Sequence, residues 1–240
     1  MKVNLLQDMH VHSTFSDGHD TLEANVAEAE ALGLTQLGCV DHVRADTPWV
    51  PEYVAAVQRV AGETGVELQC GIEAKLLDTS GALDLPEGIG GVDAIYAADH
   101  QVPLADGPNH PDAVRARLER GDLTAEEVVG AIVTATLKTL NRPQPVVIAH
   151  FLSVLPKIGL QESDVSPELL DALAAETLRT GQRIEISERW KCPSAATLRP
   201  FVRRGVPILL STDSHRRETI GRYDYCLGVI AELTPARGGV

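Results

Sequence analysis

Aromatic residues make up only 4% of this 240-residue chain, which removes the stacking platforms on which single-stranded nucleic acid is held. Positive charge is also scarce. With 21 Lys and Arg against 34 Asp and Glu, the formal charge is −13 at pH 7, which argues against stable binding to duplex nucleic acid, where phosphates must be neutralised. The four cysteines (Cys39, Cys70, Cys192 and Cys226) are far apart and show no Cys-x-x-Cys spacing, so no disulfide framework is expected. Cys39 and Cys70 sit in apolar strand patterns and read as core. No run approaches the roughly 18 apolar residues of a membrane span, and Met1-Lys2 leads into a short apolar run cut off by Gln7 and Asp8, unlike a secretory signal. A cytoplasmic location fits these features. Gly-rich phosphate loops of the Walker or dinucleotide type are missing, and no Ser or Cys stands in a triad-like setting.

What the chain does contain is a full core's worth of apolar residues, 44% of the total, enough for one α/β barrel spanning residues 1–240 as a single domain. A strand-then-helix pattern recurs seven times. The predicted strands are Val3 to Gln7, Thr35 to Val40, Val66 to Ile72, Val92 to Ala97, Pro145 to Ala149, Arg183 to Ser187 and Val206 to Ser211. Helix starts are legible where Asp20 or Thr21 can cap a helix running to Leu32, where Thr124 and Glu127 form a capping box, and where Ser166 precedes Pro167. Consecutive βα units without a polar linker imply a parallel sheet closed into a barrel. The stretch from Gln101 to Asp122, with Pro103, Gly107, Pro108 and Pro111, resists a regular helix at first and is long for a connection, which makes it a candidate lid.

Six of the eight histidines fall at the ends of these strands. Four residues after each of seven strands cover roughly 12% of the chain, so about one histidine belongs there by chance. His10 and His12 form an i, i+2 pair whose rings point the same way in extended backbone, with Asp8 placed to orient an imidazole. Asp17 follows in a Ser-Asp-Gly turn. Asp41-His42 ends the second strand, Glu73 the third, and His100 and His150 follow the fourth and fifth; Asp213 and His215 repeat the i, i+2 spacing after the last. Barrel enzymes build their sites at this end of the strands, and imidazole with carboxylate suits zinc, manganese or iron. Glu185, between two isoleucines, is placed to support the ligands from the interior. His19 and His110 read as loop residues, although His19 is near enough to Asp17 to replace it.

In this order and spacing, Asp8-x-His10-x-His12, Ser16-Asp17-Gly18, Asp41-His42, Gly71-Ile72-Glu73, His100, Ala149-His150 and Ser211-x-Asp213-x-His215 resemble the PHP superfamily (polymerase and histidinol phosphatase) over essentially the whole chain. The resemblance implies a distorted (βα)7 TIM-like barrel and two to three divalent ions: manganese, zinc or iron. Carried onto this chain, it implies one ion among His10, His12, Glu73 and Asp213. Glu73 would bridge to a second at His100 and His150, and Asp17, His42 and His215 would hold a third. Phe151, where the family often has proline, and the Ala97-Ala98-Asp99 lead into His100 depart from common patterns.

Such ions acidify a bound water to hydroxide and clamp phosphoryl oxygens, so no protein nucleophile is required. The expected activity is hydrolysis of a small phosphorylated metabolite, as a monoesterase like histidinol phosphatase, with Asp41, Glu73 and Asp213 as the catalytic carboxylates. Guanidinium and ammonium groups that suit phosphate, Arg44, Arg189, Lys191 and Arg216, cluster near the expected mouth. Arg115, Arg117 and Arg120 in the candidate lid are weaker candidates, since their spacing also fits an exposed helix face. A nucleotide or cyclic-phosphate diesterase would use the same ions. An amidohydrolase-like C–N or ester hydrolase, or a non-catalytic metal-stabilised accessory domain, are further readings. Against the amidohydrolase reading, no lysine is placed to serve as a carboxylated bridge, Lys75 being the nearest.

Overall fold

The structure, a computed structural model, describes residues 3–234. Seven parallel strands carry the chain around one sheet: β1 (Gln7–Val11), β2 (Gln36–His42), β3 (Glu67–Lys75), β4 (Ala94–Ala98), then, beyond a short antiparallel hairpin of β5 (Val102–Leu104) and β6 (Gly107–Asn109), β7 (Val146–Ile148), β8 (Arg183–Ser187) and β9 (Ile208–Ser211). The order β1-β2-β3-β4-β7-β8-β9 returns on itself. Val11 bridges Ser214 in parallel, with His12 N donating to Ser214 O at 2.8 Å and Ser214 N to His10 O at 3.3 Å. The fold is therefore a distorted α/β barrel of the TIM type, as the alternating pattern implies.

Helices α1 (Leu22–Ala31), α2 (Val50–Ala61), α3 (Pro111–Arg120), α4 (Ala125–Thr139), α5 (Pro167–Thr180), α6 (Ala195–Arg204) and α7 (Tyr225–Leu233) complete the fold. Their starts follow from local chemistry. Thr21 caps α1 through Ala24 N, Thr124 and Glu127 make a reciprocal capping box on α4, and Ser166 caps α5 with Pro167 in its first turn. Hydrophobic burial falls into two layers. Residues from strands and helices together make the outer core, whereas Met9, Val40, Ala94, Tyr96, Ala98, Val147, Ala149 and Leu209, none of them helical, fill the barrel interior.

Two glycines permit that interior packing. A Cβ on Gly38 would lie 2.1 Å from Met9 O, and one on Gly71 would lie 2.9 Å from the Tyr96 ring. Tyr96 uses the space to donate its hydroxyl to Met9 O. Beside it, β1 bulges: Asp8 pairs with Leu37 but Val11 with Cys39, three steps on one strand against two on the other.

Several boundaries differ from the expected ones. The first strand runs over Gln7–Val11 rather than Val3 to Gln7, so His10 lies within it and not after it; His42 is likewise the last residue of β2, and Glu73 lies inside β3. A strand in which three of five buried positions are Gln, Asp and His lacks the apolar signature, whereas the apolar Leu5 and Leu6 before it are half exposed. The Gln101 to Asp122 stretch folds as the β5–β6 hairpin followed by α3, whose first turn accommodates Pro111 because the N–H that proline lacks would have no intrahelical acceptor there. Arg115, Arg117 and Arg120 lie on α3 and pair with Glu119, Asp106 and Asp122 respectively. All four cysteines are free and buried. No helix among the described residues is long and apolar enough to cross a membrane.

Candidate metal centre

At the C-terminal ends of the barrel strands the histidines and carboxylates converge on the floor of a cavity of about 740 Å³. Glu73 is at the middle. Its Oε1 is 2.8 Å from His150 Nε2 and 3.1 Å from His100 Nε2; its Oε2 is 2.8 Å from His42 Nδ1, 3.5 Å from His10 Nε2 and 3.6 Å from His12 Nε2. Asp213 Oδ1 faces His12 Nε2 at 3.1 Å and His215 Nδ1 at 3.5 Å. Asp17 Oδ1 lies 3.2 Å from His215 Nε2, 3.6 Å from His42 Nε2 and 3.7 Å from His12 Nδ1.

Three groupings have ligand atoms mutually within 4.8 Å: His10, His12 and Glu73; His42, Glu73 and His100; and His12, Asp17, His42 and His215. The nine residues singled out as ligands meet in one place. Their division differs from that implied by the family pattern, because His12 and His42 each stand between two groups, and Asp213 faces His12 and His215 together. Asp17, not His19, belongs to these groupings; His19 is exposed and contributes its backbone amide to His215 O at 2.8 Å.

The donors fit a cation. His10 Nε2, both ring nitrogens of His12, Glu73 Oε2 and Asp213 Oδ1 are buried and make no hydrogen bond. Leaving a buried polar atom unpaired costs about 1–3 kcal/mol, so five in one place require a partner of another kind. Ligands spaced tetrahedrally about 2.1 Å from an ion are roughly 3.4 Å apart, and several facing pairs here fall between 3.1 and 3.7 Å. All the donors are imidazole nitrogens or carboxylate oxygens, which suit borderline to hard divalent ions.

Electrostatics point the same way. Burial works against ionising Glu73, yet His100, His10 and His42 hold its carboxyl well below the usual range; Asp213 is held low in the same manner by His12 and His10. Burial also opposes charge on His150, but hydrogen bonds to Asp99 and Glu73 outweigh it and raise the ring to about 10. His12, buried beside His10, is pushed down to about 4. Two carboxylates held ionised among these rings give the floor negative charge that a cation would balance.

A surrounding layer fixes the ligands. Glu185 accepts from His10 Nδ1 at 3.1 Å and from His150 N at 2.8 Å, the interior support expected of it. His150 Nδ1 meets Ser153 Oγ at 2.9 Å, and Ser153 donates to Asp99 Oδ1 at 2.6 Å. Trp190 Nε1 donates to Asp213 Oδ2 at 2.5 Å. His150 and Asp213 hold φ of 26° and 53°, a region non-glycine residues rarely occupy and one often found at functional sites. A Cβ on Gly18 would lie 2.6 Å from His12 O, so only glycine lets the Asp17 turn sit against His12.

Asp8 and Asp41 take other work than expected. Asp8 touches no imidazole; it accepts from Thr212 N at 2.9 Å, Thr212 Oγ1 at 2.5 Å and Gly221 N at 2.9 Å, tying β1 to the chain after β9. Asp41, placed among the catalytic carboxylates by sequence, has its oxygens occupied by Ser13 N, Ser13 Oγ, Ser16 N and Ser16 Oγ, and so it braces the loop that carries Asp17. Of the four expected phosphate-binding cations, Arg44 and Arg189 line the cavity, while Lys191 and Arg216 are not in its wall. Arg189 Nη1 donates to His215 Nδ1 at 2.8 Å.

Lys75, Lys157, Trp190 and His110 line the cavity as well and were not singled out for it. Lys75 follows Glu73 at i+2 on β3, a signal that was available; Lys157 comes from a turn after the His150 motif, at a position no local pattern marks. Ser153 and Asp99 had only their closeness to His150 and His100 to mark them.

A family model described as "PHP domain" matches residues 8–140. A protein of Clostridium acetobutylicum described as "Probable phosphatase" is 26% identical over 235 residues, which covers 91% of this chain and 82% of that protein. One from Caldanaerobacter subterraneus with the same description is 25% identical over 243 residues, covering 97% and 85%. Among solved structures, histidinol phosphate phosphatase from Lactococcus lactis, complexed with Zn, L-histidinol and phosphate, superposes with a TM-score of 0.65 at 19% identity, covering 95% of this chain and 93% of that one. At that identity the likeness is one of fold.

Proposed function

The chain belongs to the PHP domain family, and on that premise we propose that it is a metal-dependent phosphoesterase acting on a small phosphorylated molecule, first of all a phosphomonoester. Two to three divalent ions, manganese, zinc or iron, would be held by His10, His12, Asp17, His42, Glu73, His100, His150, Asp213 and His215. Such ions supply Lewis acidity, acidifying water and neutralising phosphoryl oxygens in an in-line displacement.

The chain's own residues account for the rest. Glu185 keeps His10 Nε2 turned toward Glu73 by accepting at Nδ1, and Trp190 fixes Asp213 so that Oδ1 remains toward His12. Arg189, on the cavity wall against His215, presents a guanidinium to phosphoryl oxygens, and its planar fork suits two of them at once. Arg44 also lines the cavity. Glu73 and His10 are buried in the floor, while Asp17, His42 and His100 are reached from the cavity.

The observation that carries the reading is the meeting of five buried, partnerless nitrogen and oxygen atoms beneath a cavity with basic groups in its wall. Elemental analysis followed by a panel of phosphomonoesters and phosphodiesters tests it. Two to three metals per chain and monoester turnover are expected. Inactivity on every ester with each metal overturns the assignment, and turnover of diesters alone replaces monoesterase by diesterase.

A further inference from the structure

The wall of the cavity above the candidate centre is basic in a protein that is otherwise acidic. Outside the histidine–carboxylate cluster, its charged side chains are Arg44, Lys75, Lys157 and Arg189 on one side of the balance and Asp112 alone on the other. Asp112 is exposed and sits beside His110, 3.5 Å from its Nδ1. This is the reverse of the 21 cations to 34 acids in the chain as a whole.

These four cations are not equivalent. Arg189 is committed to the floor through His215, and Lys75 is paired with Asp84 at 3.2 Å. Among the described residues no carboxylate lies within ion-pair distance of Arg44 or Lys157, so both carry uncompensated charge toward the cavity. Lys157 is nevertheless held in place: its Nζ sits 4.2 Å over the Trp190 ring, and Trp190 is itself hydrogen-bonded to Asp213 at 2.5 Å. These two contacts link the ammonium group, through Trp190, to a residue of the reacting floor in the same cavity. A phosphoryl group already has the floor and Arg189 to bind it. Further unpaired cations on the wall of a cleft favour a second anion and disfavour an ammonium.

Resting on the phosphoesterase reading, we infer that the substrate carries a second anionic group, a carboxylate or another phosphate, on the part that leaves, and that Lys157 and Arg44 bind it. Trp190 positions Lys157 for this role.

The test compares kcat/KM of the metal-loaded enzyme on phosphomonoesters of matched size whose leaving group ends in a carboxylate or phosphate, a hydroxyl, or an ammonium. The anionic ester is expected to be preferred over the hydroxyl ester by about tenfold or more, the worth of one well-placed charge pair, and the ammonium ester to be the poorest. Lys157→Gln should reduce that preference about tenfold, chiefly through KM. Lys157→Glu should move preference toward the ammonium ester, a gain that misfolding cannot mimic. Equal use of the three esters, preference for the ammonium ester, or a selectivity ratio unmoved by both variants overturns this inference and leaves the phosphoesterase reading standing. Failure to hydrolyse any of them overturns both.

Discussion

Asp213 shows how much local preparation one ligand position receives. Its backbone is held at φ 53°, Trp190 takes Oδ2, and Oδ1 is left facing His12 without a hydrogen bond. His10 is prepared from the other side, with Glu185 on Nδ1 and Nε2 free. Removing a donor differs in consequence from removing its support. Asp213→Asn or His10→Ala should lower bound metal and reduce kcat/KM by at least about a hundredfold, whereas Glu185→Gln should weaken metal affinity about 10–100-fold while leaving turnover largely recoverable at saturating metal. Metal titration followed by inductively coupled plasma analysis and steady-state kinetics separates the two. Wild-type metal content and rate in Asp213→Asn would remove it from the centre. The identities of these residues were legible from the i, i+2 spacings, but the unusual backbone at His150 and Asp213 was not, since nothing in a His or Asp codon position announces a positive φ.

At the scale of the element, the barrel closes at a seam between β1 and the segment after β9, where the backbone is joined by the Val11–Ser214 bridge and side chains add to it. Asp8 collects three donors there, and Tyr223 donates to Gln7 O at 2.7 Å. Asp8→Ala would strand the amides of Thr212 and Gly221, each costing about 1–3 kcal/mol, so a loss of roughly 2–4 kcal/mol in unfolding free energy is expected from urea titration. Stability within about 0.5 kcal/mol of wild type would show that the seam does not depend on Asp8. Helix starts were legible because caps act within three or four residues: Thr21, Thr124 and Ser166 cap as their spacing indicates. Strand β1 begins later than its sequence suggests because Gln7, Asp8 and His10 take three of its five buried positions, and a strand recruited for chemistry loses the apolar alternation that identifies strands. The α3 segment was obscured by Pro111, which reads as a breaker in isolation and is a natural first-turn residue once His110 caps the helix.

For the whole molecule, the centre gathers side chains from β1, β2, β3 and the segments after β4, β7 and β9, so whatever binds there ties most of the barrel together. Ligand binding to the native state alone stabilises by mass action, about 2.7 kcal/mol at a hundred times Kd for one site. At about 2–4 °C per kcal/mol for a protein of this size, exhaustive chelation should lower Tm by about 5–10 °C, and manganese or zinc should restore it. Differential scanning calorimetry reads this directly; a Tm indifferent to chelation and refilling would argue that the histidine cluster holds no metal. The order of Asp and His motifs along the chain, together with seven strand–helix units, was enough by itself to specify an α/β barrel and which side chains gather at one end of it. Period, capping and strand-end position are local properties, so one sequence can carry them. Only the tertiary structure decided that Asp41 braces a loop, that Asp8 closes the seam, that His12 and His42 stand between ligand groups, and that Lys157 reaches the cavity over Trp190. Each of these depends on which way a side chain faces after the strands twist and the barrel closes, and on contacts between segments far apart in sequence, where no short-range pattern exists to be read.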